Sequence, residues 1–129
     1  MTELTKAEEQ VMQLLWKSGP SFVKDLLPQM TEPKPAYNTV STIIRILQKK
    51  GFVGHDSFGR SHQYYPLISR EDYRHELVKS IIKRFYDDDF KKFASFFSDP
   101  ELNEKDLTIL KRGLESRLRD KKNKQQTLF

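Results

Sequence analysis

Residues 36–51 read Ala-Tyr-Asn-Thr-Val-Ser-Thr-Ile-Ile-Arg-Ile-Leu-Gln-Lys-Lys-Gly. Val40, Ile43, Ile44 and Leu47 recur at i, i+3, i+4 and i+7, which lines them up on one side of a helix. The other side carries Asn38, Thr39, Ser41, Thr42, Arg45, Gln48 and Lys49, without a single acid. A solvated helix face usually mixes Glu with Lys, because opposite charges one turn apart support the helix. Here small hydrogen-bonding side chains fill the first half and cations the second. Small polar groups allow close approach to base edges, and cations suit phosphates. The spacing predicts a DNA recognition helix over about residues 37–50. An ordinary amphipathic helix is the alternative on this stretch alone.

The flanks favour the first reading. Upstream, Thr5-Lys6-Ala7-Glu8 is a capping box that opens a helix running to about Ser18. Ala7, Val11, Leu14 and Leu15 are its expected buried stripe, widened by Met12 and Trp16, and Gly19-Pro20 ends it. Ser21-Phe22 is either a one-bridge strand or a cap. Val23 to Met30 reads as a short second helix that Pro28 truncates or distorts. Thr31-Glu32-Pro33-Lys34-Pro35 is a stiff turn. Helix, short helix, turn and longer helix is the order of a helix-turn-helix.

Downstream, Gly51 closes the recognition helix as a C′ glycine. Phe52–Asp56 and Ser61–Tyr65 flank Ser57-Phe58-Gly59-Arg60, the pattern of a β-hairpin, and Pro66 stops it. A hairpin directly after a recognition helix is a wing. Its expected tip residue, Arg60, is placed to touch a phosphate or the minor groove.

The second half changes character. Ser69-Arg70-Glu71-Asp72 caps a helix with Tyr73, Leu77, Ile81 and Phe85 at four-residue steps, beside Val78 and Ile82. Asp87-Asp88-Asp89 breaks it, and Asp89 caps the next helix. The three carboxylates lack a His or fourth acid at ligand spacing, so no metal is expected. Phe90, Phe93, Phe96 and Phe97 form an aromatic stripe that Asp99-Pro100 ends. Asn103-Glu104-Lys105-Asp106 caps a last helix bearing Leu107, Leu110, Leu114 and Leu118. Gly113 in its middle is expected to mark a close helix contact. The polar, basic tail from Asp120 is expected to fray.

These helices carry more large apolar side chains than their own segment can cover. At ~25 cal/mol per Å2, leaving them wet is expensive. A second copy is the simplest cover, and two-fold dimers are the commonest oligomers. The expected interface residues are Leu77, Ile81, Phe85, Phe93, Phe97, Leu107, Leu110 and Leu114. The fold class is therefore mainly α with a small β-hairpin: a winged helix-turn-helix over 1–68, a helical dimerisation domain over 69–122, and a flexible basic tail over 123–129.

Composition removes other classes. The 129 residues are 36% hydrophobic and 32% charged, too polar for one large core. There is no cysteine, hence no disulfide scaffold, thiol catalysis or Cys-based zinc site. No run approaches the roughly 20 apolar residues of a membrane span, and the first residues lack a signal-peptide core, so a cytoplasmic protein is expected. The net charge is +5, with a mild basic excess in each half, which permits nucleic-acid binding. His55, His62 and His75 show no nucleophile–base–acid pattern, so neither an enzyme nor a cofactor is expected.

In order along the chain, three pieces resemble the penicillinase-repressor family, the BlaI, MecI and CopY group of bacterial winged-helix repressors. They are Leu4–Met12 with Leu15-Trp16, then Asn38–Leu47 with Lys49–Val53, then Tyr64–Leu67. The resemblance covers residues 4 to about 118. It implies a dimer that sits on a palindromic operator and blocks transcription, in some members of resistance genes. It places Asn38, Thr39, Ser41 and Thr42 in the major groove and Arg60 on the wing contact. Family members usually carry Arg one position later than Arg45, where this chain has Ile46. The absent cysteines exclude the copper-responsive branch. In the β-lactam branch a membrane sensor-protease system cuts an Asn-Phe bond, which would fall at Phe96-Phe97, where the Asn is replaced.

Two other functions compete. One is a ligand-gated winged-helix regulator of the MarR or PadR kind, with an effector pocket near Phe90–Phe97. The other is a winged helix used only for protein contacts.

Overall fold

A computed structural model describes residues 3–127, with side chains through residue 125. Of the sequence expectations, those on Met1 and Thr2 and on the last two tail residues lie outside the described residues. The elements fall into two compact units that divide between Ser80 and Ile81.

In the first unit, α1 (Lys6–Ser18) starts at the expected capping box. The Thr5 hydroxyl accepts from the Glu8 N–H at 3.2 Å, and the Glu8 carboxylate accepts from the Thr5 N–H at 2.8 Å. The buried stripe is rotated from the expected one. Val11, Met12 and Leu15 are buried as expected, but Leu14 and Trp16 are only half-buried, Ala7 is exposed, and Leu4 and Glu8 are buried in addition. α2 (Val23–Leu26) is only one turn long and passes into a 3-10 turn, Leu27–Gln29, because Pro28 has no N–H to continue the ladder.

α3 (Tyr37–Lys49) buries Val40, Ile44 and Leu47. Its end is a Schellman motif: Phe52 N–H donates to Leu47 O and Gly51 N–H to Gln48 O, both at 3.0 Å. Gly51 sits at φ +84°, which a side chain would strain. Phe52 and Leu47, the residues that this motif brings together, are both in the core.

The strands β1 (Val53–Phe58) and β2 (Ser61–Pro66) pair antiparallel, from Val53 opposite Pro66 to Phe58 opposite Ser61. The loop is therefore shorter than expected. Ser57 and Phe58 are strand residues, and only Gly59-Arg60 turn the chain. Gly59 at φ +63° supplies the positive first position of a type II′ turn, whose twist matches that of the strands. Ser21 adds a one-residue third strand: Ser21 and Tyr64 exchange N–H···O bonds of 2.9 and 2.8 Å. The base of the hairpin is thus held to the entry of α2.

One core joins these pieces: Met12 and Leu15 of α1, Leu26 of α2, Ile44 and Leu47 of α3, and Phe52 and Val53 after it. The start of α4 (Arg70–Phe85) belongs to it too. Tyr73 is buried between the rings of Trp16 and Phe52, each 5.8 Å away, and its hydroxyl accepts from the Leu4 N–H at 3.1 Å. Trp16 donates its indole N–H to Ile68 O at 2.9 Å. The packing boundary consequently lies inside α4, about three turns after the expected break at residue 68. Leu77, expected on the dimer interface, is half-buried against this core.

Glu8 ties α1 to α3. Its side chain, 4% exposed, accepts from Lys50 Nζ at 2.7 Å, while its second oxygen is buried without a hydrogen bond among the described residues. Burial alone would raise the Glu8 pKa. The hydrogen bonds from Lys50 and Thr5 outweigh it, and the pKa is held below its ordinary 4.5.

In the second unit the aspartates act as expected. Asp87 and Asp88 adopt φ +54°, which short polar side chains tolerate, and end α4. Asp89 caps α5 (Phe90–Ala94) by accepting from the Lys91 N–H at 2.9 Å. A 3-10 turn, Ser95–Ser98, follows. Phe93 packs edge-to-face on Tyr86 and Phe97, 5.4 and 5.8 Å away. Asn103 caps α6 (Glu104–Thr127) through the Asp106 N–H at 2.8 Å. α6 runs well past Asp120, where a fraying tail was expected. Gly113 meets no close contact: a Cβ placed there finds open space.

Breaking the Glu8–Lys50 pair gives a directional test. Because the folded-state pKa of Glu8 is depressed, its stabilisation is complete above about pH 4.5 and is lost as pH falls through the lower folded value. Lys50→Met strands a buried carboxylate and is expected to cost about 3 kcal/mol at pH 7 in urea unfolding. The deficit should narrow near pH 4, where a stranded Glu8 takes up a proton. A deficit equal at both pH values would refute the pairing.

Candidate nucleic-acid interface

Helical geometry sorts the exposed side of α3 into a centre line and two flanks. Asn38, Thr42, Arg45 and Lys49 stand at i, i+4, i+7 and i+11, one above the other, and all are exposed. Ser41 flanks this line on the side of the hairpin. Thr39 lies on the opposite flank, in a separate groove with Gln10, Met30, Pro33 and Pro35. The seven sequence-selected residues are thus not equivalent.

Asn38, Ser41, Thr42 and Arg45 form one wall of a groove of about 490 Å3 between α3 and the wing. Arg60, Ser61 and His62 form the other wall, and Phe22, Val23 and Lys24 at the start of α2 close one end. Four cationic or protonatable side chains line it (Lys24, Arg45, Arg60 and His62) and no carboxylate does. Tyr64 lies at its floor, where burial raises its hydroxyl pKa against the opposing charge of Arg45. The Thr42 hydroxyl donates to Asn38 O at 2.9 Å, which leaves its oxygen lone pairs outward as acceptors.

The wing is fixed against the helix at its base. Gln48 Nε2 lies 2.6 Å from His55 Nδ1, a contact between α3 and β1. The imidazoles of His55 and His62 stack edge-on, 4.4 Å apart, and both approach Tyr64. Arg60 follows Gly59 in the two-residue turn, at the tip where the sequence placed it. The backbone bridge between Ser21 and Tyr64 and these side-chain contacts together hold the wing beside α3.

Sequence reasoning missed Lys24, Tyr37 and His62 as groove residues. Lys24 had a usable signal: the first turn of the short helix in a helix-turn-helix faces the start of the longer one. Tyr37 and His62 had none, because their placement depends on strand register and on the angle at which the hairpin leaves α3. Lys50, next to Lys49 in sequence, is held by Glu8.

The penicillinase repressor family model matches residues 4–116.

The chain belongs to the penicillinase repressor family.

This is a family of transcriptional repressors and not of enzymes. The methicillin resistance regulatory protein MecI of Staphylococcus aureus strain N315 is 26% identical over 100 residues, 77% of this chain and 81% of that one. The penicillinase repressor of Bacillus licheniformis is 25% identical over 122 residues, 93% and 95% of the two chains. Among solved structures, the DNA binding domain of the repressor BlaI is 28% identical, covers 55% of this chain and 88% of its own, and superposes with a TM-score of 0.48. For this family member the departure at residues 45 and 46 has a structural side. Arg45 stands on the centre line facing the groove, whereas Ile46 sits on the flank, 41% exposed.

Proposed function

We propose that this chain is a dimeric repressor that reads a palindromic operator, with α3 in the major groove and the wing on the adjoining backbone. The observation that carries this reading is the acid-free groove between α3 and the wing, lined by Arg45, Arg60 and Lys24. A polyanion is the ligand such a groove suits, and the relatives include regulators named as repressors. Asn38, Ser41 and Thr42 are the proposed base readers, Arg45 and Arg60 the phosphate or minor-groove contacts, and Lys49 a backbone clamp. Thr39, on the far flank, contributes less. No described helix is long and apolar enough to cross a membrane, consistent with a repressor in the cytoplasm.

The dimer is proposed on a separate observation. No described residue from 81 to 125 is fully buried, and Phe85, Phe90, Leu114 and Leu118 are each more than half exposed. Ile81, Phe85, Phe93, Phe97, Leu107, Leu110 and Leu114 are the proposed contact set. Two heads on one dimer match two half-sites of a palindrome. Release by proteolysis at or near Phe96-Phe97 fits the same picture. The bond lies in a 3-10 turn with Phe96 48% exposed, a segment that opens at little cost.

Four measurements test this. Footprinting on the DNA upstream of its own gene should show two protected half-sites. Arg45→Ala and Arg60→Ala should each weaken binding by about 1–3 kcal/mol, and Thr39→Ala by less than Thr42→Ala. Equal losses at Thr39 and Thr42 would sink the assigned orientation. Leu114→Arg should convert a dimer to a monomer in sedimentation, and a monomeric parent protein would overturn the assembly. Mass mapping after co-expression with a membrane sensor-protease and an inducing β-lactam should find fragments ending near Phe96. An intact chain under induction would rule out this release route.

A further inference from the structure

The net charge of the chain is not spread along it. Residues 111–124 of α6 carry Lys111, Arg112, Arg117, Arg119, Lys121, Lys122 and Lys124 against only Glu115 and Asp120. This segment alone has a formal charge of +5, the charge of the whole protein. The mild excess read from the two halves is therefore a local one. The first unit, which holds the groove, has eleven cations against nine acids.

Ordinary helix energetics do not account for the cluster. The helix dipole rewards cations in the last turn, and among the described residues Lys124 alone is there. Arg117 and Lys121 stand at i, i+4, and Arg119 and Lys122 at i, i+3, spacings at which like charges destabilise a helix. Every side chain from 111 to 125 is exposed. Lys111 lies 4.0 Å from Glu115, while Arg112, Arg117, Arg119, Lys121 and Lys122 have no ion pair among the described residues. Seven cations along about 21 Å of helix form a dense positive rod. Duplex DNA presents a phosphate every ~1.7 Å of its axis. Arg112 and Arg119, seven residues apart, share the side of α6 that faces away from Leu110, Leu114 and Leu118. A partner covering the leucines leaves them available.

We propose that the basic stretch 111–124 of α6 is a second, sequence-independent contact to duplex DNA, holding phosphates outside the stretch read by α3 and the wing. This rests on the repressor reading above. The head selects the sequence, and α6 supplies the attraction that a nearly neutral head lacks.

The test uses the full chain and a mixed-sequence duplex of roughly 40 base pairs, titrated by fluorescence anisotropy from about 50 to about 300 mM salt. Each phosphate contact adds ~0.9 to the slope of log affinity against log salt. The variant Arg112→Gln, Arg119→Gln, Lys122→Gln is expected to lose roughly 2–3 from the slope and at least about tenfold in affinity at 0.1 M salt. The operator footprint should stay in place. The charge-keeping variant Arg112→Lys, Arg119→Lys, Lys122→Arg should restore the parent slope. Unchanged slope and affinity in the glutamine variant would overturn the proposal. So would a loss confined to phosphatidylglycerol vesicles, or a glutamine variant that has become monomeric and binds no worse than Leu114→Arg. A parent protein that binds no duplex would overturn the repressor reading as well, whereas one that footprints normally with an unaltered slope overturns this inference alone.

Discussion

A buried carboxylate governs where the recognition helix stands. Glu8 is needed at the third position of α1 for the capping box, and the rotation of that helix turns it inward. A charge there is tolerable only with a partner, and Lys50 at the end of α3 is the cation within reach. One side chain therefore closes the N-terminus of one helix and holds the C-terminus of another. The Schellman turn at Gly51 then sends the chain directly into β1. The position of the wing follows from that of the helix end.

The groove between α3 and the wing inherits its shape from this chain of constraints. Its walls are a helix pinned by core leucines and isoleucines and a hairpin pinned by Ser21, Phe52 and Gln48. Nothing in it is a long mobile loop, so little backbone entropy is lost when a ligand enters. The second unit contrasts with it. Its helices are started by single side-chain caps and joined by an aromatic cluster, and its apolar side chains remain half wet.

Four helix starts were legible in the sequence because they carry a chemical mark: Thr5, Ser69, Asp89 and Asn103 all accept from backbone N–H groups as their types suggest. The recognition helix and the wing were legible for similar reasons, through periodicity and the two glycines. Three things were not. The end of α6 carries no breaker, since Lys121-Lys122-Asn123-Lys124-Gln125-Gln126 permits a helix as readily as a tail. The rotation of α1 was hidden because Glu at such a position is normally wet, and Ala7 looked the better core residue. The two flanks of α3 could not be told apart, because which neighbour stands beside each depends on the angle between helix and hairpin. That ambiguity put Thr39 with Ser41 and left Lys24 and His62 out.

The two-residue turn at Gly59-Arg60 also limits how such a wing can evolve. Successive rungs of a hairpin point their side chains to opposite faces. Lengthening each strand by one residue would carry the arginine outward but present it on the wrong side. Two added rungs, four residues in all, restore its face and extend it by roughly 7 Å. Reach in this family of hairpins is therefore quantised, and a single-residue insertion is a frame error in three dimensions.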